Sequence, residues 1–281
     1  MTSKQVRKIT KKTIRFIVCA IIFVIMVYPL WWLFTSMWKD AQEINRIPPT
    51  IVALRPTLDN IKVILEKFDI IKNMLKNSLY VAITIPLLQT IVCVLAAYAF
   101  AKLKFFGSNF LFLLFMVSMM IPPQLTMLTN FLTITRKLKL MNDLKSLQLL
   151  GVFSAFAIFL LRQHFLTMPK ELEEAAKIDG CSEMKCFLKI SLPLAKPIIL
   201  VNFILCFNAA WGDFFTPMVF IRDINKMTLS IGMTVINGAY SVQSPGVMVT
   251  ALAISTIPSI IVFFIFRKQL IAGISSTGIK M

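Results

Sequence analysis

Long apolar runs alternate with short polar segments along the chain, and six of the runs approach the roughly 20 residues an α-helix needs to cross a bilayer core. The pattern predicts spans over residues 16–36, 78–100, 110–131, 147–165, 198–220 and 247–266. Helices satisfy their own backbone groups in lipid, so the expected fold is an all-α membrane protein with six transmembrane helices. The fourth run is the shortest, closed by Lys145 and Arg162, whose long side chains can snorkel to the interface. Pro86, Pro122, Pro123 and Pro258 fall in or at the edge of the runs, where ordinary helix kinks are expected in preference to gating hinges.

Two polar segments carry structure of their own. Residues 39–76 contain Pro48, Pro49 and Pro56 followed by an amphipathic stretch over 58–72, which reads as a small external cap. Residues 167–195, between the fourth and fifth runs, read as a stiff two-helix elbow. Pro169 suits a first helical turn, Glu171, Glu173 and Glu174 favour the positive end of the helix dipole, and Gly180 can take a left-handed stop. Leu172, Ala175 and Ala176 fall on one face at helical spacing. The two alanines would let another surface approach closely, and Glu174 beside them offers a charge for pairing. A second helix is expected from Ser182 as N-cap through Phe187 and Leu188 to Ile190, with Ser191, Leu192 and Pro193 turning the chain back toward the bilayer. For such a loop taken alone, an amphipathic connector lying on the membrane surface is the competing reading.

Composition agrees with the pattern: 57% of the 281 residues are hydrophobic and 15% charged, unlike a soluble domain. The formal charge of +17 does not imply nucleic acid, because the Lys and Arg residues punctuate apolar runs and do not gather on one soluble face. An even number of spans places both termini on one side. With that side cytosolic, it carries six basic residues in the N-terminal tail, Lys102 and Lys104, six from Arg162 to Lys196, then Arg267, Lys268 and Lys280. The expected layout is a cytosolic basic N-terminus at 1–15, one six-helix membrane domain at 16–266 with external segment 39–76 and cytosolic loop 167–195, and a cytosolic tail at 267–281. The apolar stretch after the basic N-terminus lacks a small-residue cleavage pattern and reads as a retained span.

Candidate chemistry is sparse. Asp213 is the one acid inside an apolar run, beside Trp211, Phe214 and Phe215. A carboxylate at mid-membrane costs about 2.5–3.5 kcal/mol on insertion scales and so tends to face a cavity or a partner. Aromatic rings beside an acceptor would suit a sugar, with Trp211, Asp213 and Phe214 lining its path. A place near the outer interface, or pairing with another subunit, is the equal alternative. His164, at the end of the fourth run, reads as a polar end group and not as a proton relay. Cys19, Cys93, Cys181, Cys186 and Cys206 imply no disulfide framework, and the Cys181–Cys186 spacing lacks the further ligands of a metal site. Gly273 and Gly278 are not followed by the elements of a phosphate-binding loop, and no zinc or nucleophile-turn motif is present. No catalytic residue, cofactor or metal site is expected on this chain.

Glu174-Ala175-Ala176, three residues, Gly180, nine residues, Ile190, one residue, then Leu192-Pro193 resembles the EAA loop of ABC importer permeases position for position. Further stretches resemble the carbohydrate-uptake, MalG-like branch: Pro56-Thr57-Leu58-Asp59-Asn60, Asn77-Ser78, the run from Ala96 to Ala101, Pro122-Pro123-Gln124, Trp211-Gly212-Asp213-Phe214, and the ending from Gly273 to Lys280. Gly212 departs from the Asn often found there. The resemblance implies a type I ABC importer permease with Glu174, Ala175, Ala176, Asp179, Gly180, Ile190, Leu192 and Pro193 forming the coupling elbow. That elbow would dock on a cytosolic ATPase dimer, which would hold the ATP and magnesium. It further implies a second homologous permease, an extracytoplasmic solute-binding protein, membrane lipid around the spans, and a sugar or oligosaccharide substrate moved by alternating access. A permease for a glycerol phosphodiester or a polyol is the alternative within the family. An ion-coupled carrier working alone is the alternative outside it, and it would want ionisable residues in several spans.

Overall fold

The computed structural model describes residues 3–66, 68–240 and 245–278, and no strand occurs among them. Three helical stretches are long and apolar enough to cross a bilayer singly: Lys11–Ser36, Asp69–Lys102 and Pro245–Gln269. They belong to helices α1 (Ser3–Ser36), which is followed by short α2 (Ala41–Ile44) and α3 (Asp59–Glu66), then α4 (Phe68–Lys102), and much later the last helix of the chain. Three further stretches meet the same test only as bent pairs, which gives up to six crossings.

The bends are where the expected spans need correction. The third is not one helix: α5 (Ser108–Ser118) and α6 (Pro123–Leu132) meet at 99°. Pro123 cannot donate to the preceding turn, and it forces Pro122 into an extended conformation at φ −58° and ψ 131°. The fourth is split into α7 (Leu144–Gly151) and α8 (Ala155–Thr167) with a 46° bend, and Ser154 Oγ caps the second piece by accepting the Ala157 amide at 3.2 Å. After α9 (Lys170–Ile178), α10 (Glu183–Cys186) and α11 (Leu192–Leu194), the fifth span is α12 (Lys196–Gly212). It stops at Asp213, and α13 (Phe215–Phe220) follows as a separate piece. The chain ends with α14 (Leu229–Tyr240) and α15 (Pro245–Gly278). Residues 3–15 are continuous with α1 and residues 267–278 with α15.

The chain packs as two compact units, Met1–Phe68 with Met233–Ile257 and Asp69–Gly232 with Pro258–Met281. In the first, residues 39–60 are organised around two buried charges. Lys39, 1% exposed, donates to the Thr50 carbonyl at 2.7 Å and lies 5.4 Å from the Trp32 ring. Burial pushes its ammonium below the usual lysine range, opposed by the charge of Glu43. Glu43 accepts from Thr50 Oγ1 at 2.7 Å and from the amides of Leu54 at 2.8 Å and Arg55 at 3.4 Å. Its burial works to raise the carboxyl, but these hydrogen bonds and the Lys39 charge outweigh it and hold the group below the usual range. Asn60 donates to the carbonyls of Lys39 at 2.7 Å and Met37 at 3.2 Å. A Cβ at Gly246 would run into that same Asn60 side chain, so α15 needs a glycine there. None of residues 11–35 of α1 is buried within the chain, and Phe16, Phe23 and Met26 are exposed. Such a surface suits acyl chains or another membrane helix.

The second unit holds two apolar clusters. One joins Cys93, Val94, Ala97 and Tyr98 of α4 to Ile158, Leu161 and Phe165 of α8 and Ile198 and Val201 of α12. The other gathers Val81 and Ile85 of α4, Leu147 of α7, and Phe220, Ile221 and Ile231. Polar side chains pin the loops at its other end. Asn77 donates to the carbonyls of Asn225 at 2.9 Å and Met227 at 3.0 Å, and Ser78 Oγ accepts the Leu229 amide at 2.7 Å. Asn142, at φ +58°, accepts the amides of Arg222 at 2.6 Å and Asp223 at 3.2 Å. Association in lipid cannot draw on water exclusion, so such packing and hydrogen bonds carry much of the cohesion.

Candidate functional site

The elbow is built from local signals. Pro169 stands at the N-cap of α9 with φ −54° and ψ 128°, and Glu171 and Glu173 occupy the first turn. At the other end Gly180 has φ +79°. The Gly180 amide donates to the Lys177 carbonyl at 3.0 Å and the Cys181 amide to the Ala176 carbonyl at 2.9 Å, the paired bonds of a Schellman stop. Lys177 and Glu183 then pair across the stop at 2.5 Å, each about half exposed. The hydrogen bond that Lys177 donates to Glu183 holds its ammonium above the usual range, and such an exposed pair adds little stability.

The return path differs from the expected one. The chain does not turn at Ser191, Leu192 and Pro193; α10 runs through a π-helical turn, Phe187–Ser191, into α11, and the 72° bend to α12 comes at Ala195. Pro193 sits in the first turn of α11, where a proline continues a helix without loss. Ile190 and Leu192 are half-buried and Pro193 is exposed.

The faces of α9 also differ from the periodicity reading. Ala176 is buried against the chain itself, whereas Leu172 and Ala175 are exposed along with Glu171, Glu174, Ile178 and Asp179. An acidic face studded with Leu172 and the 87% exposed Ile178 is left for another surface. Glu173, one residue before Glu174, points the other way. Its Oε1 lies 3.3 Å from Lys102 Nζ and accepts from Ser191 Oγ at 2.8 Å, and the two charged side chains are only 14% and 8% exposed. Removing one partner of a buried pair typically costs about 3–5 kcal/mol, because it strands the other charge. Beneath this pair the Tyr98 ring lies 4.7 Å from Phe187 and meets Phe165 edge-on at 5.6 Å. Arg162 donates to the Phe100 carbonyl at 3.2 Å and lies 4.0 Å from the Phe112 ring. His164 is half-buried with its Nε2 lacking a partner among the described residues. Cys181 and Cys186 are free thiols, with Cys186 buried.

The second candidate region is a cavity of about 240 Å³ lined by α4, α7, α12 and α13, with Gln89, Gly151, Cys206, Asp213 and Thr216 among its walls. Two broken helices face it. Gln89 donates to the Gly151 carbonyl at 3.0 Å, where α7 ends. Asp213 closes α12 in an extended conformation, accepts the Thr216 amide at 3.1 Å at the start of α13, and takes a bond from Ser230 Oγ on its own carbonyl at 2.6 Å. Irregular backbone at membrane depth is tolerated where it lines a cavity, and half-helix ends are where transporters hold solutes. Asp213 is therefore both a cap and a wall. Trp211 and Phe214 are not in that wall; Trp211 stacks on Phe207 at 6.2 Å and Phe214 is exposed. Sequence reasoning missed Gln89, although a lone amide inside a long apolar run is a detectable signal. It also missed Lys102, Glu173 and Ser191 as a group, for which no local signal exists.

Comparison with known proteins gives this geometry a family. The family described as "Binding-protein-dependent transport system inner membrane component" matches residues 89–276, a stretch that holds the elbow and all of the cavity lining except Val81 and Ile85. The arabinooligosaccharides transport system permease protein AraQ of Halalkalibacterium halodurans is 32% identical over 263 residues, 93% of this chain and 94% of that one. The trehalose/maltose transport system permease protein MalG of Thermococcus litoralis is 28% identical over 97% of this chain and 98% of its own. The sn-glycerol-3-phosphate transport system permease protein UgpE of Salmonella typhi is 28% identical over 89% of this chain and 91% of its own. Among solved structures, a bacterial ABC transporter involved in the import of the acidic polysaccharide alginate shares the fold, with a TM-score of 0.80 over 95% of this chain and 98% of that chain at 21% identity. The chain belongs to the inner membrane components of binding-protein-dependent transport systems, with the type I permease fold.

Proposed function

We propose that this chain is the permease subunit of an ATP-driven importer for a sugar or oligosaccharide. The observation that carries the reading is the elbow, a capped helix whose Leu172, Glu174, Ala175 and Ile178 are exposed. A separate pair of cytosolic ATPase subunits docks there, holding the ATP and magnesium, and nucleotide-driven closure moves the elbow. This chain performs no hydrolysis. A second, homologous permease completes the pathway, an extracytoplasmic binding protein delivers the solute, and both termini lie in the cytosol.

The cavity bears on the solute. Its walls offer Gln89, Asp213, Thr216 and helix-end carbonyls, and among the described residues that line it there is no Lys or Arg. Hydroxyl groups of a neutral sugar donate to the Asp213 carboxylate and accept from Gln89. An anion such as a glycerol phosphodiester would meet a carboxylate and no counter-charge, so the neutral solute is favoured.

Co-purifying the assembled transporter in mild detergent and identifying its bound solute by mass spectrometry tests both parts. A neutral sugar with a nucleotide-hydrolysing partner is the expected result. A phosphodiester would overturn the solute, and a chain that transports without any ATPase would overturn the whole reading. Crosslinks placed at Glu174 supply the local test, since they should capture the ATPase.

A further inference from the structure

Two adjacent glutamates on α9 face opposite ways. Glu174 is exposed, while Glu173 is turned inward onto Lys102 at the end of α4 and Ser191 in the π-helical turn. Three segments distant in sequence, the end of α4, the elbow helix and its return path, therefore meet at one carboxylate. Among the described residues it is the only polar side-chain tie from α9 to a membrane-crossing helix, the other inward side chain of α9 being the small Ala176. The Lys102 ammonium also reaches the Met168 carbonyl at 3.5 Å, just before α9 begins. Lys102 is thus held from both sides of the entry to the elbow.

A lever moves its load only if its base does not slip. An apolar contact is non-directional and lets surfaces slide, whereas a desolvated ion pair with a shared hydrogen bond is strong and fixed in geometry. The helix that receives this tie also lines the cavity: Gln89 lies on α4, roughly 20 Å along the axis from Lys102. A displacement of α9 applied at Lys102 is carried by a continuous helix to the Gln89 contact with Gly151.

We propose that Glu173, through Lys102 and Ser191, is the positioning residue that ties the elbow to α4 and so transmits movement of the ATPase subunits to the solute cavity. The proposal rests on the importer reading above. It assigns the two glutamates different tasks, Glu174 facing the motor and Glu173 facing the permease.

The test uses the complete transporter reconstituted in liposomes, with three readouts: ATPase subunits retained on purification, ATP hydrolysed, and solute imported per ATP. Glu173→Gln and Lys102→Met should each retain the ATPase subunits and their hydrolysis but import at least about 10-fold less solute per ATP. The charge exchange, Lys102→Glu with Glu173→Lys, should recover most of that ratio, and Ser191→Ala should lower it about 3-fold. Glu174→Gln should instead weaken ATPase retention. Should a single variant fail to reach the membrane, Ser191→Ala and Lys102→Arg, which keep both charges, carry the same readout.

Unchanged import per ATP in the single variants would overturn the proposal, as would an exchange variant that is stably assembled yet no better coupled than they are. Failure of the importer reading looks different, because the unsubstituted chain would then retain no ATPase at all.

Discussion

Gly180 offers the cleanest perturbation of the elbow, because its role can be isolated to backbone conformation. A Cβ built there meets nothing within 4 Å, so a substitution introduces no clash. What remains is the left-handed φ of +79°, which an L-residue adopts at a loss of roughly 1–2 kcal/mol. At about 1.4 kcal/mol per factor of ten, Gly180→Ala should reduce the fraction of correctly stopped elbows roughly 5- to 30-fold relative to alternatives. Gly180→Val should do worse, since branching at Cβ crowds that region further, and Gly180→Asn should do better, since Asn visits it more readily. Two measurements check the order. Amide hydrogen exchange at Gly180 and Cys181, whose N–H groups make the stopping bonds, should accelerate from Gly to Asn to Ala to Val. Solute imported per ATP should fall in the same order while the protein still inserts. A valine variant with native exchange and native coupling would refute the reasoning, for it would mean that the left-handed stop is not what shapes the elbow.

Other perturbations reach the cavity, a loop anchor and the 39–76 segment. Gly151→Val should close part of the cavity, since a Cβ there approaches Ile85 Cγ2 at 2.6 Å; uptake should fall several-fold with ATPase retention unchanged, as read in liposomes. Asn142→Ala removes the acceptor of two backbone amides and leaves a non-glycine residue at φ +58°, so about 1–3 kcal/mol of stability should be lost, with Asn142→Gly losing less, as seen in detergent melting curves. Glu43 binds its proton less readily folded than unfolded, so its contribution is complete above the ordinary carboxylate range and drains away as pH falls through the depressed folded value. Protection of the amides over residues 39–60, taken relative to their intrinsic exchange at each pH, should therefore fall on acidification, and Glu43→Gln should flatten that dependence.

The positions of the membrane-crossing stretches were legible because apolar run length is a direct demand of the bilayer. Their interior breaks were not, because hydropathy measures what a side chain prefers and says nothing about backbone direction. The breaks after Gly151 and at Asp213 sit inside runs that stay apolar on either side. Pro122 and Pro123 did carry a signal, but a kink and a 99° turn share the same residues. At the elbow, Pro169 and Gly180 fixed both ends of α9 because caps are local chemistry. Which of two neighbouring glutamates faces inward depends on Lys102, far away in the sequence, and periodicity placed Ala175 and Ala176 together where packing separates them. Pro193 looked like a stop and is a first-turn residue instead.

The turn between α5 and α6 has a consequence for how the protein survives in the cell. Residues 117–126 are exposed, and the Met119 carbonyl finds prolines at both positions that would supply its helical donor. Hydrocarbon does not tolerate bare peptide groups, so a copy synthesised alone carries a scar that acyl chains cannot cover. Orphan chains should accordingly be short-lived and cleared by membrane proteases, and their abundance should track the supply of whatever neighbour shields that corner.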